Sequence, residues 1–433
     1  MKQILKTIIK DFHLSRFPHF HPRDLVVPLD LKKIITIIGP RRAGKTWFLY
    51  QLMTQLEDQG VARERILYLN FEDERLEFEG EYDQILNAYL ELYPERPLGD
   101  IYLFFDEIQE LPNWQKYIRR LYDRVTPHIF LTGSNAKMLS SEIATSLRGR
   151  SLSFEILPLS FAEYLSFQGV NSTERDSTRN RATIQHYFDQ YLLWGGFPEL
   201  VTIEERFKPA VLQEYFSVML YRDLVERYEI RNLSLVKFLL KRLISSFSKE
   251  FSTNKLYNDL KSRGFKVSKD HLYQLMEEIF SIYLLAPVSK YDPAVIRREM
   301  SNRKVYLYDN GLASITQYAF SEDRGKLLEN TVYAHLRRHT ESIFFLKNGF
   351  ECDFVVFGRG SIPCLIQVVD RLHHDNLARE VGGLEKAQRR FEQADCLLLV
   401  NEIEVDVPAK WNVRLAVDWL LDKGDEFARN MVQ

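Results

Sequence analysis

The sequence has few cysteines, no long apolar run, no low-complexity tract and almost no net charge. Its three cysteines, Cys352, Cys364 and Cys396, lie toward the C-terminus within or beside apolar, strand-like runs. Their spacing matches neither a metal site nor a disulfide framework, so buried reduced thiols and a cytoplasmic setting are expected. No apolar run approaches the roughly 18 residues that a membrane helix needs, and no membrane partner is expected. The opening stretch Met1 to Lys10 is amphipathic and interrupted by lysines, without the continuous apolar core of a secretory signal. With 58 basic against 60 acidic side chains the net charge is −2, so no global field marks a nucleic-acid or membrane partner. A chain of 433 residues suggests roughly two to four domains with large cores.

What is present starts with Gly39-Pro40-Arg41-Arg42-Ala43-Gly44-Lys45-Thr46, which fits the phosphate-binding pattern G-x-x-x-x-G-K-[ST]. The flanks fit too. Lys33 to Ile38 is a β-branched run that reads as a buried strand, and Trp47 to Met53 places Phe48, Leu49 and Met53 at helical spacing. Gly39 and Gly44 permit the tight turn that aims backbone N–H groups at phosphate oxygens. Lys45 would reach the β and γ phosphates of ATP, Thr46 would hold Mg²⁺, and Trp47 closes the nucleotide-contacting set. The start of the following helix favours the anion.

Further along, Arg65 to Phe71 reads as a second strand running into Glu72-Asp73-Glu74, which either faces the Mg²⁺ region or forms a solvated turn. Ile101 to Phe105 is a third, ended by Asp106-Glu107. An apolar strand delivering acids about sixty residues after the phosphate loop is the second half of the same chemistry. Asp106 would hold Mg²⁺ and Glu107 would orient or deprotonate the attacking water. A fourth strand, His128 to Thr132, ends in Gly133-Ser134-Asn135. Ser134 and Asn135 either sense the γ-phosphate or cap the next helix. Arg148 and Arg150 precede a fifth strand from Ser151, and each is either an arginine finger for a neighbouring subunit or a structural ion pair. In the lead-in before the first strand, His19, His21 and Arg23 read as solvated loop residues.

Gly39 to Thr46, Phe71-Glu72-Asp73, Phe105 to Gln109, Leu131 to Ser134, Gly149-Arg150 and Leu157 to Phe161 together resemble the prokaryotic AAA-type ATPases with a C-terminal domain of unknown function. The likeness continues through Gly195 to Glu199, Tyr308 to Leu312 and Leu327 to Asn330. It implies a parallel five-stranded sheet between helices, followed by a small helical lid at about 160–201. There, Gly195-Gly196 would make a turn and Tyr191, Leu192 and Trp194 would offer docking surface.

In the second half, residues 235–290 read as a winged helix. The expected helices are Leu235 to Phe247, one capped by Thr253, and one capped by Ser268 with Leu272, Leu275, Met276 and Ile279 on its buried side. Between residues 232 and 290 ten Lys and Arg face five acids, a local excess of five. Lys266, Lys269, Tyr273 and Gln274 would project toward a double-stranded DNA groove, unless the module packs against protein instead. After it, Glu329 on a helix, Asp353 on a strand and Gln367 on the next strand resemble the PD-(D/E)XK restriction-endonuclease-like fold. That fold would need Glu at 367 and Lys at 369. Gln367 and Val369 stand there, so a vestigial, inactive nuclease centre is expected.

The expected fold class is therefore α/β: a P-loop NTPase parallel sheet with a helical lid, then a winged helix and a restriction-endonuclease-like α/β domain. Its boundaries are 1–159, 160–230, 231–315 and 316–433. The expected function is Mg²⁺-dependent ATP hydrolysis coupled to a DNA- or protein-binding half, with oligomerisation through Arg150 as an option. The alternatives are an ATP-gated DNA nuclease and a slow ATP switch in signalling or defence with a protein partner.

Overall fold

The computed structural model describes residues 1–78, 80–133, 147, 149–173, 177–315, 324–358 and 362–422. It divides into two compact units, Met1–Leu157 and Pro158–Gln433. Among the described residues no helix is long and apolar enough to cross a membrane.

In the first unit, α1 (Lys2–Leu14) precedes β1 (Ile34–Ile38), and α2 (Lys45–Asp58) leads to β2 (Ile66–Asn70). Next come α3 (Asp83–Leu92), β3 (Tyr102–Asp106), α4 (Trp114–Arg124), β4 (Ile129–Gly133) and β5 (Ser151–Glu155). The five strands are parallel in the order β2-β3-β4-β1-β5. Every residue of β1 is buried, because helices cover both faces of a parallel sheet. Ile34 and Ile38 point into the layer of α1, α3 and α4, whereas Ile35 and Ile37 point into that of α2. The one polar residue of β1, Thr36, pairs its hydroxyl with that of Ser153 at 2.9 Å. The expected strands are all present, each within a residue or two of its expected ends, and α3, which the sequence reading passed over, joins them. Because β4 lies between β1 and β3, the phosphate loop, Gly133 and Asp106 share one edge of the sheet.

The second unit opens with α5 (Phe161–Phe167), α6 (Thr178–Trp194), α7 (Pro198–Thr202) and α8 (Lys208–Val218), which continues as a π-helix over Met219–Glu226. Then follow α9 (Leu233–Ile244), β6 (Glu250–Phe251), α10 (Thr253–Ser262), α11 (Lys269–Phe280), β7 (Leu285–Ser289), α12 (Val295–Met300) and β8 (Arg303–Leu307). The strands form an antiparallel sheet β6-β8-β7. Ser268 caps α11 as expected, but the cap of α10 is Ser252, with Thr253 as the first helical residue. Two adjacent hydroxyls compete there, and the extended backbone at Ser252 (φ −121°, ψ 123°) decides between them.

The last part holds α13 (Arg324–Arg337), β9 (Ile343–Lys347), β10 (Glu351–Phe357), β11 (Pro363–Leu372), α14 (His374–Gln388), β12 (Asp395–Ile403), β13 (Asn412–Leu415) and α15 (Ala416–Leu420). Their mixed sheet runs β13-β12-β11-β10-β9. Leu328, Val332 and Leu336 of α13 pack on Phe354, Ile366 and Leu399. On the opposite face Leu384 and Ala387 of α14 pack on Val355, Leu365 and Leu398. The sheet is therefore covered by a helix on each face, an α/β layering. Phe161, Phe188, Tyr191 and Leu192 join the α13 layer, and Trp194 joins the core around α9. The apolar surface expected for lid docking is thus buried within the second unit itself.

The family-like motifs of this half form one polar knot. The buried Asp309 carboxylate accepts from the N–H of Gly196 at 2.7 Å and that of Gly311 at 2.9 Å. A Cβ on Gly195 would lie 1.8 Å from an oxygen of Asp309, so that position excludes any side chain. The Asn310 amide reaches the carbonyls of Leu192 and Leu327, and Asn330 holds both backbone groups of Leu307. Burial pushes the Asp309 carboxyl up to about 7, against the pull of the two backbone amides and Arg338. A raised carboxyl favours folding while protonated, so its contribution is complete below about pH 4 and lost as pH rises through about 7. Asp309→Asn should lose one accepted hydrogen bond, about 1 kcal/mol. Its stability deficit against wild type should be largest near pH 4 and shrink toward pH 7. Urea denaturation across that range measures this.

Candidate active site

The site assembles at the carboxyl edge of the five-stranded sheet. After β1 the chain turns at Gly39 (φ 151°), where a Cβ would meet the carbonyl oxygen of Ile156 at 2.0 Å. Only glycine lets the loop pass so close to the strand beside it. Arg42 (φ 64°) and Gly44 (φ 95°) are left-handed, so the backbone curls before α2 starts at Lys45. For a non-glycine residue this conformation costs roughly 1–2 kcal/mol, and such strain gathers at functional sites.

Asp106 is fully buried. Its Oδ2 accepts from the Thr46 hydroxyl at 2.8 Å and the Tyr68 hydroxyl at 3.1 Å, and Oδ1 accepts from Thr132. Burial, then the neighbouring Glu107, raises its pKa, while Thr132, Thr46 and Lys45 pull it down. Burial and the Asp106 charge push the Tyr68 phenol far above its usual range, so Tyr68 is a donor at every physiological pH. Glu107 adopts a left-handed backbone (φ 50°) and its N–H donates to the Thr132 hydroxyl at 2.8 Å. Its carboxylate accepts from the Gln109 amide at 2.5 Å and lies 3.7 Å from the Lys45 ammonium. That ammonium also donates to the carbonyls of Gly39 and Pro40 at 3.2 and 3.1 Å. Arg41 pairs with Glu72 at 3.3 Å, which ties the expected acidic segment to the loop. Trp47 stays half-exposed at 48%. Thr46 and Asp106, adjacent hard oxygen donors beside a cluster of backbone N–H groups, fit Mg²⁺ next to a phosphate chain.

Comparison with known proteins agrees with this geometry. A family model described as an AAA domain matches residues 31–165, and one for a domain of unknown function matches residues 185–322. An uncharacterized protein of Methanocaldococcus jannaschii is 37% identical over 396 residues, spanning 89% of this chain and 86% of its own. The chain belongs to the AAA-type P-loop ATPase family. An uncharacterized protein of Haemophilus influenzae is 30% identical over 403 residues, spanning 90% of this chain and 95% of its own. Among solved structures, a Walker-type ATPase of Pyrococcus abyssi matches at 16% identity, 65% of this chain, 90% of that chain and a TM-score of 0.43.

Within this AAA-type family member the expected loop and strand-end residues come together. Ser134, Asn135 and Arg148 lie outside the described residues. Arg150 is ion-paired with Asp123 at 3.0 Å. Its carbonyl accepts from the N–H of Ile34, so it sits where β1 begins, at the opposite edge of the sheet from the phosphate loop. Sequence reasoning overlooked Tyr68, Thr132 and Gln109, each polar within or just after an apolar strand run, which is the available signal. It also misplaced Arg23, which is not a solvated loop residue. Arg23 is buried, and its guanidinium donates to the carbonyl of Ala43 at 2.8 Å and that of Leu157 at 2.6 Å. The backbone of Arg23 exchanges two hydrogen bonds with the Gln51 amide, so the lead-in braces the loop from behind.

In the second unit Lys266, Lys269, Tyr273 and Gln274 are all exposed. Lys269 lies over the Tyr257 ring and Gln274 donates to Glu278 at 2.8 Å. Glu329 and Asp353 do meet, with Lys304 between them. Burial opposes the charge on Lys304, yet the surrounding acids hold its ammonium well above the usual lysine range.

Arg23→Ala leaves the carbonyls of Ala43 and Leu157 without their charged donor. A loss of about 2–4 kcal/mol is expected, read as a lower urea midpoint of the first unit.

Proposed function

We propose that the chain binds ATP at Gly39–Thr46 and hydrolyses it with Mg²⁺, coupling nucleotide state to a C-terminal half that binds double-stranded DNA. The observation that carries this is the convergence of Thr46, Asp106, Lys45 and Glu107 at one sheet edge beside the strained loop. Backbone N–H groups of residues 41–46 cradle the phosphates. Lys45 exchanges the loop carbonyls for β- and γ-oxygens. Thr46 and Asp106 would hold Mg²⁺, which would supply positive charge against the phosphate oxygens. Glu107, positioned by Gln109 and Thr132, takes the proton of the attacking water as ADP leaves with its bridging oxygen. Arg150 is at the wrong edge to serve its own nucleotide, so any finger role is exerted on a neighbouring subunit and requires the Asp123 pair to open. Ser134 or Asn135 serves as the sensor beyond β4. The division into core 1–159, lid and connector 160–230, winged helix 231–315 and nuclease-like domain 316–433 belongs to the same proposal. So does a cytoplasmic setting, supported by the buried free thiols of Cys352 and Cys364.

DNA binding is supported by the exposed Lys266, Lys269, Tyr273 and Gln274 on and before α11 and by the local basic excess. The nuclease-like domain is proposed to be inactive, since Gln367 replaces an acid and Val369 packs with Leu365 and Leu384.

Lys45→Ala should abolish ATP binding and turnover. Glu107→Gln should keep ATP affinity while turnover falls by about two orders of magnitude or more. ATPase assays on both folded variants check this, and undiminished hydrolysis in either rejects the site. Affinity for duplex DNA should fall steeply with salt, and Lys266→Ala with Lys269→Ala should lower the log–log slope by about one unit per lysine. No binding even at low salt would favour the protein-partnered switch.

A further inference from the structure

The nuclease-like centre already holds a cation, and it is a protein side chain. Lys304 comes from β8 of the three-stranded sheet and is 2% exposed. Its Nζ lies 3.1 Å from Glu329 Oε1, 3.2 Å from Asp353 Oδ1 and 3.1 Å from Glu351 Oε1. The three carboxylates come from α13 and β10, so they converge on one point from two elements. The remaining valences are also met. The Tyr306 hydroxyl donates to Glu329 at 2.6 Å and the N–H of Val368 to Asp353 Oδ2 at 3.0 Å. Gln367, where an acidic ligand would stand, accepts from the N–H of Asp353 at 3.3 Å and donates to Glu380 at 2.8 Å. Among the described residues no group of three or more acids, histidines or cysteines forms a metal site.

A divalent ion at this point would need oxygens at about 2.0–2.6 Å, closer than those around the ammonium. It would also confront a buried positive charge at contact distance. The residues present do not fit the metal that the fold family implies. A primary ammonium with its three donors does fit three carboxylate oxygens at about 3 Å.

We propose that the ammonium of Lys304 is the resident, non-exchangeable cation of the nuclease-like centre, closing it to divalent ions and joining the three-stranded sheet to the five-stranded one. This rests on the inactive-nuclease reading above. Breaking such a pair by removing one partner leaves uncompensated buried charge, so in the absence of Lys304 the acids would recruit another cation.

Mn²⁺ titration followed by the EPR signal of the free ion tests this on the full chain. Wild type and Asp353→Asn should bind the same number of ions. Lys304→Met should gain one further equivalent, at least ten-fold tighter than anything wild type binds here, and Lys304→Met/Asp353→Asn should lose it. A wild-type equivalent that vanishes in Asp353→Asn overturns the proposal, and this comparison stands even if Lys304→Met fails to fold. A folded Lys304→Met that gains no ion overturns it too, and leaves the inactive-nuclease reading intact if wild type cleaves no DNA. Metal-dependent cleavage by wild type, lost in Asp353→Asn, overturns both.

Discussion

Asp106 carries an ionisable carboxyl into a position with no solvent exposure, and the first unit is arranged around satisfying it. A buried carboxylate without partners is destabilising by several kcal/mol. Here its two oxygens take hydroxyls from the start of α2, from β2 and from β4. Those elements are far apart in the chain, yet the parallel register Asn70↔Asp106 and Phe105↔Leu131 brings their ends level. The same hydroxyl of Thr132 that holds Asp106 also orients the backbone of Glu107. Asp106 and Glu107 are therefore positioned by one side chain, and the left-handed φ of Glu107 is accompanied by that bond.

The second unit uses the same principle with both signs. Asp309 is a buried acid held by glycine N–H groups that only a Cβ-free turn can bring close. Lys304 is a buried base held by acids of α13 and β10. In each case a polar group withdrawn from water ties together segments remote in the chain. The motifs Gly195 to Glu199, Tyr308 to Leu312 and Leu327 to Asn330 meet in this network, which gives them a structural role independent of nucleotide.

Much of the first unit was legible in the chain. The run Ile34–Ile38, the glycines of the loop and the strand ending in Asp106-Glu107 carry their meaning in local order, because strand, loop and helix follow one another within a few residues. Less visible were the groups that make the site stiff. Tyr68 looks like any strand aromatic, Thr132 like a β-branched filler and Arg23 like a loop charge. Each acts on a residue twenty or more positions away. In the second unit the meeting of Glu329 and Asp353 was legible from their order, whereas Lys304 was not, since it arrives from β8 of the three-stranded sheet. The stretch expected as a lid does hold helices, and its apolar residues Tyr191, Leu192 and Trp194 are buried among other segments of the second unit.

The amino-acid sequence by itself determined the phosphate loop, the acid-bearing strand and the alternation that makes the sheet parallel. All of these are local patterns of backbone conformation, hydropathy and side-chain type. Tertiary structure alone decided which hydroxyls hold Asp106, that Arg150 stands at the far edge of its own sheet, and that Lys304 lies among three acids. Hydrogen bonds and ion pairs depend on distances of about 3 Å, and such distances between remote segments exist only once sheet order and packing have been set.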